Sequence, residues 1–146
     1  MGKVVQIGIA SGKGDKIHNV NKVEAIKTKG LLNDRKFKDE NLIDCQITLI
    51  QIEHINNFNK ISKTNIPAID FRRNIITEKI DLNKLVGKEF FVGKVKLKGH
   101  DLCRPCKYLQ EKLKQPNFIK EFLRKGGLRC EILSSGKISV NDIIKE

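Results

Sequence analysis

Glu89-Phe90-Phe91-Val92-Gly93-Lys94-Val95-Lys96-Leu97 (EFFVGKVKL, residues 89–97) is the stretch whose reading decides the fold. Residues 89–92 and 95–97 are rich in aromatic and β-branched side chains and flank a two-residue Gly-Lys connection. A glycine at the first central position of such a loop suits a type II′ turn, whose twist matches that of paired strands. The segment predicts a β-hairpin. Working outward, Lys3 to Ile9 is short, β-branched and alternating, and Ser11-Gly12-Lys13-Gly14-Asp15 breaks it. Lys22 to Lys27, Cys45 to Ile50 and Arg73 to Thr77 add further strands, and Gly30 opens a polar stretch to about Asn41. Leu128 to Leu133 and Lys137 to Val140, around Ser134-Ser135-Gly136, predict a final hairpin, followed by Asn141-Asp142-Ile143-Ile144.

Helical signals are fewer. Ile52, Ile55 and Phe58 recur at helical spacing. Leu82 to Leu85 fits a single turn closed by Gly87. Pro105 to Leu113 carries proline in its first turn with Tyr108, Leu109 and Leu113 on one face, and Asn117 is placed to cap a second helix reaching Arg124. Many short strands, a few short helices and no repeated βαβ unit predict a mainly β fold, an antiparallel or mixed β-barrel.

The 146 residues match one domain, read as spanning 1–146, with no internal repeat and no linker. With 39% hydrophobic and 32% charged residues the chain has the composition of a folded protein, which excludes global disorder. No apolar run approaches the roughly 18 residues of a membrane span, and the start lacks the length and cleavage pattern of a signal peptide, so a cytoplasmic location is expected. The net charge of +12 comes mostly from lysines spread along the chain. One Tyr, seven Phe and no Trp leave few platforms for stacking bases. The charge therefore suits an anionic small molecule, and neither nucleic acid nor membrane is expected as a partner.

Four cysteines without a secretory signal are read as reduced thiols. Cys45 and Cys130 lie in apolar or alternating runs, the setting of small buried thiols. Cys103 and Cys106 sit together in Gly99-His100-Asp101-Leu102-Cys103-Arg104-Pro105-Cys106-Lys107. If Pro105 opens the helix, Cys106 lies in its first turn, where free amides, the helix dipole, Arg104 and Lys107 favour a thiolate. A thiolate serves as nucleophile, persulfide carrier or ligand to a soft metal. A CxxC redox pair, a zinc site using His100, Cys103 and Cys106, and a structural pair of buried thiols are the competing readings. Arg72-Arg73-Asn74-Ile75-Ile76-Thr77 places two guanidiniums and an amide at a strand start; such a pair suits phosphate or carboxylate oxygens, although a solvated strand edge is the commoner setting. Asp34-Arg35 and Arg129 read as ordinary salt-bridge residues.

In order, Gly30-Leu31-Leu32-Asn33-Asp34-Arg35, Gln46-Ile47-Thr48-Leu49-Ile50, the Arg72–Thr77 segment, Ile80-Asp81-Leu82, Leu85-Val86-Gly87-Lys88, Cys103-Arg104-Pro105-Cys106, Gly126-Gly127-Leu128-Arg129, and Gly136-Lys137-Ile138 with Asn141-Asp142 resemble the MOSC family, the C-terminal domain of molybdenum cofactor sulfurases, which also occurs as small free-standing proteins. The resemblance implies a β-barrel domain that binds molybdenum cofactor, or carries sulfur to metal-sulfur centres, with Cys106 as the catalytic and metal-binding residue. Arg73, Asn74, Thr48 and Arg35 fall on the family's cofactor-binding positions. Asn33 stands where the family often has glycine, Lys36 where histidine is common and Cys45 where arginine is usual. Molybdopterin is the implied cofactor; pyridoxal phosphate belongs to a separate desulfurase domain and is not expected. Implied partners are a persulfide donor and a cofactor-synthesis or desulfurase protein. Two further readings are a small molybdenum-dependent oxidoreductase acting on N-hydroxylated compounds and a non-catalytic adaptor.

Overall fold

The computed structural model describes residues 1–104 and 107–146, and all their side chains except those of 107 and 108. The strands are β1 (Gly2–Ile9), β2 (His18–Val20), β3 (Lys22–Ile26), β4 (Gly30–Leu31), β5 (Ile47–Gln51), β6 (Ile75–Glu78), β7 (Glu89–Val92), β8 (Val95–Leu102), β9 (Leu128–Ile132), β10 (Gly136–Ser139) and β11 (Ile143–Lys145). Helices α1 (Ile52–Ser62), α2 (Lys107–Leu113) and α3 (Phe118–Glu121) complete the described elements, with 3-10 turns at Ala68–Phe71 and Leu82–Leu85.

The hairpin that the Gly93-Lys94 pair predicts is β7–β8, with Phe90 opposite Leu97 and Val92 opposite Val95. Gly93 has φ +60° and Lys94 a negative φ, the type II′ combination. Alternation then sends Phe90, Val92, Val95 and Leu97 inward. The strand order β11-β7-β8-β9-β5-β6-β1 closes through a β1–β11 ladder into a seven-stranded barrel, and β2 extends it along β1. Closure leaves the barrel strands without free edges. A three-stranded sheet, β10-β3-β4, packs beside it, with Val23, Ala25, Leu31 and Ile138 joining the barrel core.

Two sequence expectations are corrected, the final hairpin and the Asn117-capped helix, and of the two barrel types expected the mixed one is found. Leu128–Leu133 and Lys137–Val140 do not form a hairpin: β9 pairs with β8 and β5, whereas β10 pairs with β3. The serines between them hand the chain from one sheet to the other. Ser134 Oγ accepts from the Lys96 amide at 2.9 Å and Ser135 Oγ from the Lys27 amide at 2.8 Å. The barrel is mixed, because β5 and β6 run parallel, joined by a crossover containing α1. Asn117 sits at the N-cap position of α3 but makes no side-chain cap bond, and α3 ends at Glu121, short of Arg124.

α1 and α3 cover one outer face of the barrel. Phe58 of α1 meets Phe71, Phe118 and Phe122 at ring-centroid distances of 5.0 to 6.1 Å, including edge-on contacts, and Ile50 and Ile76 supply the barrel side of this second core. β5 is thus covered on both faces, which is why its Ile47-Thr48-Leu49-Ile50 run is buried throughout rather than alternating.

Candidate functional site

The register that pairs Ile7 with Ile75 and Leu49 with Ile75 places the C-terminal end of β1 and the N-terminal ends of β5 and β6 at one end of the barrel. Asn74 lies at their junction, 1% exposed. Its Oδ1 accepts from the Thr48 amide (3.1 Å) and Thr48 Oγ1 (3.2 Å), and its Nδ2 donates to the Gly8 carbonyl (3.1 Å) and Asp34 Oδ2 (3.4 Å). Thr48 and Asn74 therefore fasten three strands to one another and to the loop after β4. Both stand behind the wall of the adjacent cleft rather than in its lining.

Asp34, read from the sequence as an ordinary salt-bridge residue, is the hub of that loop. Its carboxylate is almost fully buried, and it accepts from the Ala10 amide (3.0 Å), Arg35 Nη1 (3.2 Å) and the Lys36 amide (3.4 Å), besides Asn74. Asn33 before it has φ +71°. Asparagine tolerates this left-handed conformation better than other non-glycine residues, so the departure from glycine preserves the turn. No periodic pattern signals Asp34, because its role comes from contacts 24 and 40 positions away.

In front of this hub opens a cleft of about 820 Å³. Lys13, Arg35, Lys36, Lys38, Arg72 and Arg73 line it together with Gly14, Asn41, Cys45 and Leu109 of α2; no carboxylate lines it among the described residues. The arginines are held in place by backbone oxygens. Arg35 Nη2 donates to the Arg72 carbonyl (3.2 Å), Arg72 Nη1 to the Asp15 carbonyl (2.9 Å) and Arg73 Nε to the Gly126 carbonyl (2.8 Å). The next carbonyl, Gly127, accepts from the Cys103 amide at 2.7 Å. Gly127 has φ +111°, and a Cβ there would collide with the Leu49 carbonyl, so glycine lets this strap lie against β5 while its oxygens hold Arg73 and Cys103.

The sequence candidates thus divide. Arg35 and Arg73 line one cleft, while Asn74 and Thr48 brace it. Arg72 is 7% exposed and not at a solvated edge. Cys106 lies outside the described residues, as does Pro105. Cys103 is 4% exposed, and Cys130 is fully buried, its thiol pushed well above its ordinary pKa by burial and then by the neighbouring Cys103. Cys45, expected to be buried, instead borders the cleft half-exposed, with its Sγ 3.4 Å from Asp44 Oδ1; burial and then the Asp44 hydrogen bond raise its pKa. His100 Nε2 lies 2.8 Å from Glu131 Oε1, and the described residues hold no cluster of three metal-ligating side chains. Lys13, Lys36 and Lys38 escaped sequence reasoning because nothing local separates them from the other lysines.

Crowded cations without matching anions leave a mark on titration. Burial lowers the pKa of Arg35 against the pull of Asp34, with Arg72 and Arg73 lowering it further. Burial likewise lowers Lys36, followed by repulsion from Arg35 and Arg73, with Cys103 and Asp34 pulling the other way. Protonated Lys36 therefore destabilises the fold at neutral pH, and this penalty fades as pH rises from the lowered value to the ordinary value of about 10.4. A bound anion favours the protonated ammonium, so binding takes up a proton within that window. Any sulfate affinity is expected to fall as pH rises through that window towards the ordinary lysine value, and Lys36→Gln to flatten this dependence. Titration calorimetry in two buffers measures both; an identical slope in Lys36→Gln would assign the dependence to other groups.

The described helices include none long and apolar enough to cross a membrane. A search of curated proteins finds no significant match. Among solved structures, the YuaD protein from Bacillus subtilis is similar over 99% of this chain and 94% of its own, with TM-score 0.81 and 20% identity. YiiM from Geobacillus stearothermophilus is similar over 99% and 74%, with TM-score 0.78 and 16% identity. YiiM from Escherichia coli is similar over 99% and 69%, with TM-score 0.74 and 17% identity. These likenesses agree with the mixed barrel, and the MOSC domain model matches residues 15–145. A chain matched by that model over nearly its whole length belongs to the MOSC domain family, a family associated with the molybdenum cofactor.

Proposed function

We propose that this domain binds molybdenum cofactor in the cationic cleft and holds sulfur for metal-sulfur centres on Cys106. The observation that carries the reading is the cleft itself: six cationic side chains and no lining carboxylate among the described residues, in a MOSC domain. Molybdopterin is an anion with a phosphate and a dithiolene, and the donor set fits it. Arg35 and Arg73, anchored by backbone oxygens, present guanidinium N–H groups to phosphate oxygens, and Lys36 adds a desolvated ammonium whose charge the ligand would stabilise. When bound, the cofactor would supply a metal centre with affinity for thiolate sulfur. The chain contributes orientation through Asp34 and Asn74 and a sulfur carrier at Cys106, loaded by a persulfide donor protein.

Elemental and pterin analysis of protein made in a molybdate-replete host tests the reading. Retained molybdenum with pterin, or a persulfide on Cys106, is expected. Arg73→Gln should lower retention about tenfold, the effect of losing one charge-assisted hydrogen bond. A protein that carries neither molybdenum nor persulfide would overturn the proposal, and turnover of N-hydroxylated compounds by the molybdenum-loaded protein would favour the oxidoreductase reading over sulfur transfer.

A further inference from the structure

A second, smaller cleft of about 360 Å³ shares two residues with the first, Gly14 and Arg72, and is lined also by Lys16 and Asp70. We infer that the ligand of this domain carries two anionic groups, as a diphosphate ester does, one against Arg35, Lys36 and Arg73 and the other beyond Arg72 against Lys16. The inference rests on the anion-binding reading of the first cleft and adds the substrate class.

The loop from Gly12 to Lys16 creates the two compartments. Its turn, closed by the Asp15 amide on the Gly12 carbonyl at 3.0 Å, puts Lys13 on the first cleft and Lys16 on the second, with Gly14 between them. Gly14 has φ +83°, and nothing lies within 4 Å of the place a Cβ would take, so open space flanks the loop there.

Arg72 forms the common wall. Its side chain is buried, its Nη1 is tied to the Asp15 carbonyl, and its Nε and Nη2 donate to no described residue. Its backbone is left-handed at φ +65°, a conformation unfavourable for an arginine that persists only where the surroundings impose it. A guanidinium fixed between two basic compartments can donate to oxygens on both sides, the geometry that bridging two linked phosphates requires. Asp70, whose carboxylate accepts no hydrogen bond from described residues, suits a hydroxyl or amine donor on the same ligand beside its second anionic group.

Titration calorimetry of the full chain with sodium orthophosphate and sodium pyrophosphate at matched ionic strength tests the inference. Pyrophosphate is expected to bind at least about tenfold more tightly, and Lys16→Ala to weaken pyrophosphate about tenfold while leaving orthophosphate within about twofold. Lys16 is exposed in a loop, so its removal leaves the core intact. Lys137→Ala, which removes the same charge from β10 of the second sheet, should change neither affinity by more than about twofold. Equal affinities for the two probes, equal effects of the two lysine variants on pyrophosphate, or equal weakening of both probes by Lys16→Ala would overturn the second compartment. If orthophosphate binds and depends on Arg73 while pyrophosphate binds no tighter, this inference alone falls. If neither probe binds, the anion-binding reading of the first cleft falls with it.

Discussion

Asn74→Ala is expected to destabilise the domain by about 3 kcal/mol, read as a shift of roughly 10 °C in thermal midpoint or an equivalent shift in urea midpoint. The substitution deletes four hydrogen bonds and strips the partner from a buried Thr48 amide and the Gly8 carbonyl. Leaving buried polar groups unpaired costs more than the net worth of the bonds removed. Asn74→Asp sharpens the test, because it keeps the shape but turns a donor into an acceptor facing the Gly8 carbonyl and Asp34 Oδ2. Burial and the Asp34 charge would raise the pKa of the new carboxyl, so its neutral form suits the folded state. Asn74→Asp should therefore be at least as unstable as Asn74→Ala near neutral pH and regain stability as pH falls through that raised value. An Asn74→Asp protein as stable as the parent at neutral pH would refute this account of the hub.

Cys106→Ser is expected to abolish persulfide loading or molybdenum retention, whereas Cys103→Ser should leave most of it. The described thiols support this choice. Cys130 is fully buried and its pKa is raised well above the ordinary value, and Cys45 is raised by burial and by Asp44, so neither is prone to form the reactive thiolate. Cys103 is too poorly exposed for ready attack by an external donor, and its amide is tied to the Gly127 carbonyl. Cys106 adjoins α2 in sequence, the helix that brings Leu109 to the cationic cleft. Persulfide mass analysis of each variant, alongside alkylation rates near neutral pH, measures the difference. Equal loss in both variants would favour a shared dithiol, and loss in Cys103→Ser alone would move the function to the other sulfur.

Local chemistry made much of the barrel legible. The Gly93-Lys94 turn selects its own hairpin because the loop's backbone signs and its flanking alternation are both encoded within nine residues. Ser134-Ser135-Gly136 shows where such reading stops. The same turn-forming chemistry joins two different sheets there, since the serine hydroxyls accept from backbone amides 38 and 108 positions away. The parallel β5–β6 pair escaped for a related reason: parallel pairing is decided by a crossover that packs α1 on the barrel, not by either strand alone.

By itself the sequence determined a mainly β fold with short helices and the order of family motifs from Gly30 onward, among which Arg35 and Arg73 fall. Periodicity, turn residues and motif order are properties of neighbouring positions, and they need no tertiary contact to be read. Only the tertiary structure decided that Asp34 is a buried hub, that Asn74 and Thr48 brace the cleft from behind, and that Lys13, Lys36 and Lys38 stand apart from the other lysines. Closing the barrel brings loops distant in sequence to one end, and there desolvation and unmatched charge, which no local pattern encodes, set Arg35 and Lys36 apart from the chain's other cations.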